Sequence, residues 1–373
     1  MNKFLTILWI VLLCSNHAAN AQSDPNAPDS WLFAHVVEKD ITVKTYFKYV
    51  DKVVRKYDTL LSYKLTPHLL ARMNPWIVDT FANTDYYRQQ KRGIFVFDQQ
   101  ELIILKKGDT LFVRTDEIAN QILAKQAATY IDVNVPEYKL RIIEGTDTIG
   151  KFLIRVGRNS VRQWAVYKDK VVNLRTKTGL GSIVSTYFKT ASVDPATGRV
   201  YYKTTRDDDK ITMMPLMPWI EPEINKERFG QLIHPTTNEK SLGKAFSNGC
   251  MGAGEGDIWR IFFYAPVGTR MQVRYDLDVV DENGNPIRLA DVYGTAPKKE
   301  PVAAPTPPSP NTIPPKKEVT SFKTDAKKEV VTPKKEVVIP KTEVTVPKKE
   351  PAKPKIEAPM PKKEPVMPNP PKQ

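Results

Sequence analysis

The sequence predicts a β-rich α+β protein, with a small mixed α/β segment, then a strand-rich domain, then a Pro/Lys/Glu tail. Three observations predict this. Residues 22–128 mix helical three-and-four spacing with short strand-like runs. Residues 129–295 are dominated by runs that alternate apolar and polar positions, the period of a half-buried strand. From 296 to 373 the chain lacks the apolar content of a core. Residues 1–21 form a fourth, separate segment.

Met1–Lys3 give a basic start, Phe4–Cys14 an apolar run broken only by Thr6, and Ala19-Asn20-Ala21 a small-x-small cleavage pattern. This predicts a secretory signal peptide, too short to span a bilayer, with the mature chain starting at Gln22. The expected location is across the inner membrane, in the periplasm or cell wall, with no integral membrane segment after cleavage. Cleavage removes Cys14 and leaves Cys250 as the single thiol, so no intramolecular disulfide can form. A lone cysteine in an oxidising compartment is either buried or used.

In the mixed segment, Phe47, Val50, Val54, Tyr57 and Leu61 share one helix face, and Thr66-Pro67 opens a second short helix. Gly93–Phe97, Glu101–Leu105 and Thr110–Val113 read as strands, the last two joined through Lys107-Gly108-Asp109. Thr115-Asp116-Glu117 opens a helix to about Ala128, with Ile118 and Ile122 inward. His35 and His68 are isolated, as packing or surface histidines are.

Strands follow at Tyr130–Val135 and Tyr138–Ile143, around a Pro136-Glu137 turn, then at Phe152–Val156, Ala165–Tyr167 and Val200–Lys203. Met271, Val273, Tyr275 and Leu277 alternate with polar residues in a last strand. One helix interrupts, with Ile258, Ile261 and Phe262 on one face and Pro266 and Gly268 ending it. About 150 residues of this kind close a core without disulfides.

In the tail, Pro-Lys-Lys-Glu recurs at Pro297, Pro315, Pro333, Pro347 and Pro361, and Phe322 is the one aromatic residue. Such a stretch cannot bury enough apolar surface to offset its ordering entropy, so it is expected to be an extended, disordered spacer. The chain carries a net charge of +14, much of it here. Export argues against nucleic acid as the partner and leaves electrostatic contact of the basic tail with anionic wall polymers or membrane surfaces.

The segment Ile233–Gly252 reads IHPTTNEKSLGKAFSNGCMG. A thiolate attacks carbonyls far better than a thiol, and an imidazole within reach lowers the cysteine pKa. His234 lies upstream by a span in which two strands can meet with a loop between. Ser247-Asn248-Gly249 is a tight polar turn, and the N–H groups of Gly249 and Cys250 are candidates for an oxyanion hole. Cys250 is thus the candidate nucleophile and His234 the candidate general base and acid, with Ser247, Asn248 and Gly249 in support.

This segment resembles the signature of the YkuD-type L,D-transpeptidases: Ile-His, a loop, then Ser-x-Gly-Cys. The flanks agree. Tyr130–Leu140 is similar to the family's opening strand, Thr176-Lys177-Thr178-Gly179 to its Thr-Pro-Thr-Gly, and Met214–Trp219 to its Met-Pro-aromatic stretch. Asp257 and Val267-Gly268-Thr269 match its closing helix and strand. Two positions differ. Asn248 stands where many members have histidine, which leaves His234 as the sole base. Gly252 stands where many have an arginine taken to meet a substrate carboxylate, and Arg260 and Arg228 are candidates to replace it.

The resemblance implies a YkuD-like β-sandwich catalytic domain and cysteine acyl transfer on peptidoglycan stem peptides. Cys250 would attack the third residue of a tetrapeptide stem and expel D-alanine. The thioester would pass to an amine of another stem, giving a 3→3 cross-link, or to water, giving a tripeptide. No cofactor is expected, and the three scattered histidines and one cysteine of the expected mature chain hold no metal-ligand spacing. Two alternatives stay open: a non-catalytic wall-binding protein of the same fold, and a different thiol peptidase. Papain-like enzymes place cysteine before histidine, the reverse of the order here, and sortases place the histidine farther upstream.

Overall fold

The structure, a computed structural model, describes residues 30–164, 170–189, 191–194 and 197–295. The expected signal peptide, the Ala165–Tyr167 strand and the tail lie outside the described residues.

Helix α1 (Val43–Asp58) starts where Thr45 Oγ1 accepts the Thr42 N–H at 3.0 Å, and it buries Val43, Tyr46, Val50, Val53 and Tyr57. Helix α2 (Pro67–Met73) is capped by Thr66, whose Oγ1 accepts the Leu69 N–H at 3.1 Å; Pro67 occupies a first-turn position that has no helix carbonyl to bond. Two short helices absent from the sequence expectation follow, α3 (Trp76–Ala82) and α4 (Tyr86–Lys91). At seven and six residues they are too brief for a period to be read.

The expected strand at Gly93–Phe97 does not form. Gly93 turns the chain at φ +77°, and the segment joins no strand ladder: the Met213 N–H donates to the Phe97 carbonyl at 2.9 Å, and Ile94, Phe95 and Phe97 remain exposed. The other two strands form but do not pair as a hairpin. Ile103–Leu105 pairs with Ile41–Thr42, and Thr110–Arg114 pairs antiparallel with Trp31–Val36. Helix α5 (Asp116–Ala128) closes this half and buries Ala119, with Ile122 packed partly against the core.

Nine strands form the main sheet: β1 (Thr129–Asn134), β2 (Lys139–Glu144), β3 (Asp147–Gly157), β4 (Gly179–Lys189), β5 (Met217–Ile224), β6 (Ile233–Pro235), β7 (Ala245–Ser247), β8 (Met251–Ala253) and β9 (Arg270–Arg274). Their order is β7-β3-β8-β6-β5-β4-β9-β1-β2. Strand β3 also pairs with β2 through its first half and with β8 and β7 through its second. One long strand therefore joins both ends of the sheet, and the layers face each other across Ile131, Val133, Ile154, Val156, Ile220 and Ile233. The fold is β-rich with helices concentrated toward the N-terminus, as the sequence predicts.

Helix α6 (Glu255–Tyr264) is buried on more than its expected face. Trp259 and Phe263 are fully buried beside Ile258 and Ile261, because the N-terminal helices cover the side that faces away from the sheet. Phe81 of α3 meets Trp259 at a ring distance of 4.2 Å, and Phe47 of α1 meets Phe262 at 5.7 Å. At the start of α6, the fully buried Glu255 accepts from Arg206 Nη1 at 2.5 Å, Gln99 Nε2 at 2.8 Å and the Tyr86 N–H at 3.0 Å. The polar head of α6 is thus tied to the N-terminal segment, which steadies the loop that follows β8.

Candidate active site

Strands β6 and β8 run parallel, with Ile233 opposite Met251 and His234 opposite Gly252. The Met251 N–H donates to the Leu232 carbonyl at 2.8 Å, so Cys250 reaches the sheet level with Leu232. The Leu232 N–H in turn points at Cys250 Sγ, 3.4 Å away. Cys250 and His234 line one cleft of about 920 Å³, which the sequence brings together from either side of the intervening loop.

The turn before Cys250 is held from several sides. Ser247 Oγ donates to the Cys250 carbonyl at 2.6 Å and accepts the Gly249 N–H at 3.2 Å. Ser247 therefore orders the turn, and the Gly249 N–H is occupied there rather than turned to the cleft, against the oxyanion expectation. Thr176 Oγ1 donates to the Gly249 carbonyl at 3.0 Å and itself accepts the Gly157 N–H at 2.8 Å. Gly249 sits at φ +110°, a backbone conformation that favours glycine, and a Cβ on it would have to displace the Gln231 amide 2.6 Å away. Asn248 lines the cleft, and its Oδ1 is buried with no hydrogen-bond partner.

His234 is fixed in position and in tautomer. Its ring stacks on Trp219, with centroids 4.4 Å apart and planes 7° from parallel. Nδ1 is 2.8 Å from the Pro235 carbonyl, which can only accept, so Nδ1 carries the hydrogen and Nε2 keeps its lone pair. Burial lowers the imidazole pKa to about 3, helped by the positive charges of Arg155 and Lys189 and opposed by the Pro235 carbonyl. Burial pushes the Cys250 thiol up, while the Leu232 N–H, Arg155 and Lys189 pull it the other way. Thiol and imidazole thus rest as a neutral pair. The imidazole does not hold Cys250 as a standing thiolate; it is present in the form that can take a proton.

Neither arginine proposed from sequence to stand in for Gly252 reaches this cleft. Arg228 forks onto Glu221, and Arg260 donates to Asp79 at 2.8 Å. The cations that line it are Arg155, Arg158 and Lys189. Sequence reasoning missed Arg155 because β3 alternates: Phe152, Ile154 and Val156 are buried, and Arg155 falls on the face a half-buried strand normally gives to solvent. His35 bonds to Tyr49 Oη at 2.9 Å, and His68 packs on Phe262, so neither belongs to the cleft.

A thiol and a fixed neutral imidazole thus share one cleft at the mouths of two parallel strands in a closed β sheet. Residues 128–273 match the family model described as the L,D-transpeptidase catalytic domain, YkuD. No curated protein matches the chain. Among solved structures it is similar to an L,D-transpeptidase from Xylanimonas cellulosilytica, at 10% identity and TM-score 0.29, over 56% of this chain and 94% of that one. An L,D-transpeptidase from Mycobacterium smegmatis is similar at 10% identity and TM-score 0.26, over 39% of this chain and 58% of that one. One from Enterococcus faecium is similar at 14% identity and TM-score 0.27, over 39% and 50%. This chain therefore spans about half of the length of the latter two.

Proposed function

We propose that this protein is an exported cysteine acyltransferase that cleaves the terminal D-alanine from peptidoglycan tetrapeptide stems. The observation that carries the proposal is the pairing of Cys250 with a His234 ring whose Nε2 is bare, in one cleft. Cys250 Sγ attacks the carbonyl of the third stem residue as its proton passes to His234 Nε2. The tetrahedral intermediate collapses with loss of the amine of D-alanine, which takes that proton back. The thioester on Cys250 is then opened by a side-chain amine of a second stem, giving a 3→3 cross-link, or by water, giving a tripeptide. In either case His234 accepts the attacking group's proton and returns it to Cys250 Sγ.

In this proposal residues 22–128 brace the catalytic segment 129–295, and the tail at 296–373 acts as a spacer that meets anionic wall polymers through its lysines. The test is the mass of products formed from a purified disaccharide-tetrapeptide. Tripeptide or cross-linked dimer is expected from the wild type and neither from Cys250→Ala. A carbapenem should add covalently to Cys250. If wild type and variant both leave the tetrapeptide intact while still sedimenting with peptidoglycan, the protein is a binding module and the proposal fails.

A further inference from the structure

Arg155 stands opposite Gly252 in the antiparallel pairing of β3 with β8, two residues along the strand from Cys250. A Cβ at position 252 would lie 2.5 Å from Arg155 Nε and 2.8 Å from its Cγ. Only glycine there leaves room for this side chain to cross the strand and line the cleft.

The protein does not satisfy the group it has placed there. Nη1 donates to Ser241 Oγ at a long 3.3 Å, and Nε is buried with no hydrogen-bond partner. Among the described residues no carboxylate forms an ion pair with it. The other two cations of the cleft are engaged. Arg158 donates to the carbonyls of Ser247 and Phe246 at 3.2 and 2.9 Å, and the Lys189 ammonium lies 4.9 Å from the Tyr187 and Trp219 ring centres. A partly buried guanidinium that is short of acceptors is stabilised by an anion that brings them.

The geometry points to Arg155 as the receptor for the terminal carboxylate of the acyl-donor peptide, which makes it a specificity-determining residue for substrates ending in a free acid. This rests on the reading of Cys250 as the attacking thiol. Arg155 crosses the strand at Gly252, two residues beyond Cys250, and lines the same cleft as the thiol, on the side toward which the chain leaves the nucleophile.

The experiment compares release of the terminal residue from two disaccharide-tetrapeptides, one ending in the free acid and one in its carboxamide. A third peptide is amidated on the diamino acid instead. Wild-type protein is expected to prefer the free acid over the terminal carboxamide. Arg155→Gln should shrink that ratio of kcat/KM by about tenfold or more, the scale of a lost hydrogen bond to a charged group. Arg155→Lys, which keeps the charge without the fork, should fall between. The ratio isolates docking from any effect of Arg155 on the thiol, since both substrates meet the same Cys250.

An unchanged ratio in Arg155→Gln overturns the inference, as does a preference that follows the diamino-acid carboxylate. Should the variant fail to fold, calorimetric binding of acid and carboxamide by the Cys250→Ala protein decides the matter. Equal affinities there refute the inference. If wild-type protein releases the terminal residue from none of the peptides, the proposed function itself is wrong and the inference falls with it.

Discussion

His234 lies flat against Trp219, ring centres 4.4 Å apart and planes within 7°, while its Nδ1–H is committed to the carbonyl of its own neighbour Pro235. One contact sets the plane of the imidazole and the other its rotation, so Nε2 has a single direction in which to accept a proton.

Trp219→Ala should leave the tautomer intact and free the plane. Misplacing a catalytic group by about 1 Å costs up to about a hundredfold in rate, so a fall in kcat of tenfold or more is expected with little change in KM. Steady-state kinetics on the tetrapeptide check this. A variant as fast as wild type would show that the stacking does not orient the base.

The thiol's raised pKa has a chemical consequence. Alkylation by iodoacetamide follows the thiolate fraction, so its rate at Cys250 should climb steadily from pH 7 to pH 9 without a plateau. Mass spectrometry of the modified peptide over time measures it. A rate already level near neutrality would reveal a standing thiolate–imidazolium pair.

His234 and His68 also govern acid stability. Burial lowers their pKa values from 6.5 to about 3 and about 4. The unfolded chain therefore takes up protons that the native state refuses as pH falls below 6.5. The stability these neutral rings contribute is complete above that pH and is lost progressively toward their folded pKa values. At pH 5 the loss is on the order of 2 kcal/mol for each ring. Urea titrations at pH 7 and 5 check the slope, and His68→Gln should reduce it without touching the cleft.

Glu255 binds Arg206, Gln99 and the Tyr86 N–H in a fully buried cluster. Glu255→Ala leaves the Arg206 charge unpaired in the interior and should destabilise the fold by about 3–5 kcal/mol. Replacing both partners, as Arg206→Met with Glu255→Leu, should recover much of that loss. Denaturant midpoints of single and double variants test it, and equal losses in all three would mean that the cluster is not acting as a pair.

Much of the candidate site was legible in the chain. The alternation around β1, β2 and β9, the single thiol left after Gln22, and the Ile-His…Ser-x-Gly-Cys segment follow from residue type and spacing alone, because periodicity and local turn chemistry are written locally. Those features named Cys250, His234 and the turn at Ser247–Gly249.

Other features needed the folded chain. Whether Thr110–Arg114 pairs with its neighbour or with Trp31–Val36 depends on strand partners far apart in sequence. The neutral state of the Cys250–His234 pair arises from burial, which no spacing records. Gly252 looked like a missing contact until β3 laid Arg155 across it. The sequence by itself determined which groups are the candidates for chemistry; the tertiary structure decided their protonation and which cation shares their cleft, because both depend on desolvation and on neighbours that only folding brings close.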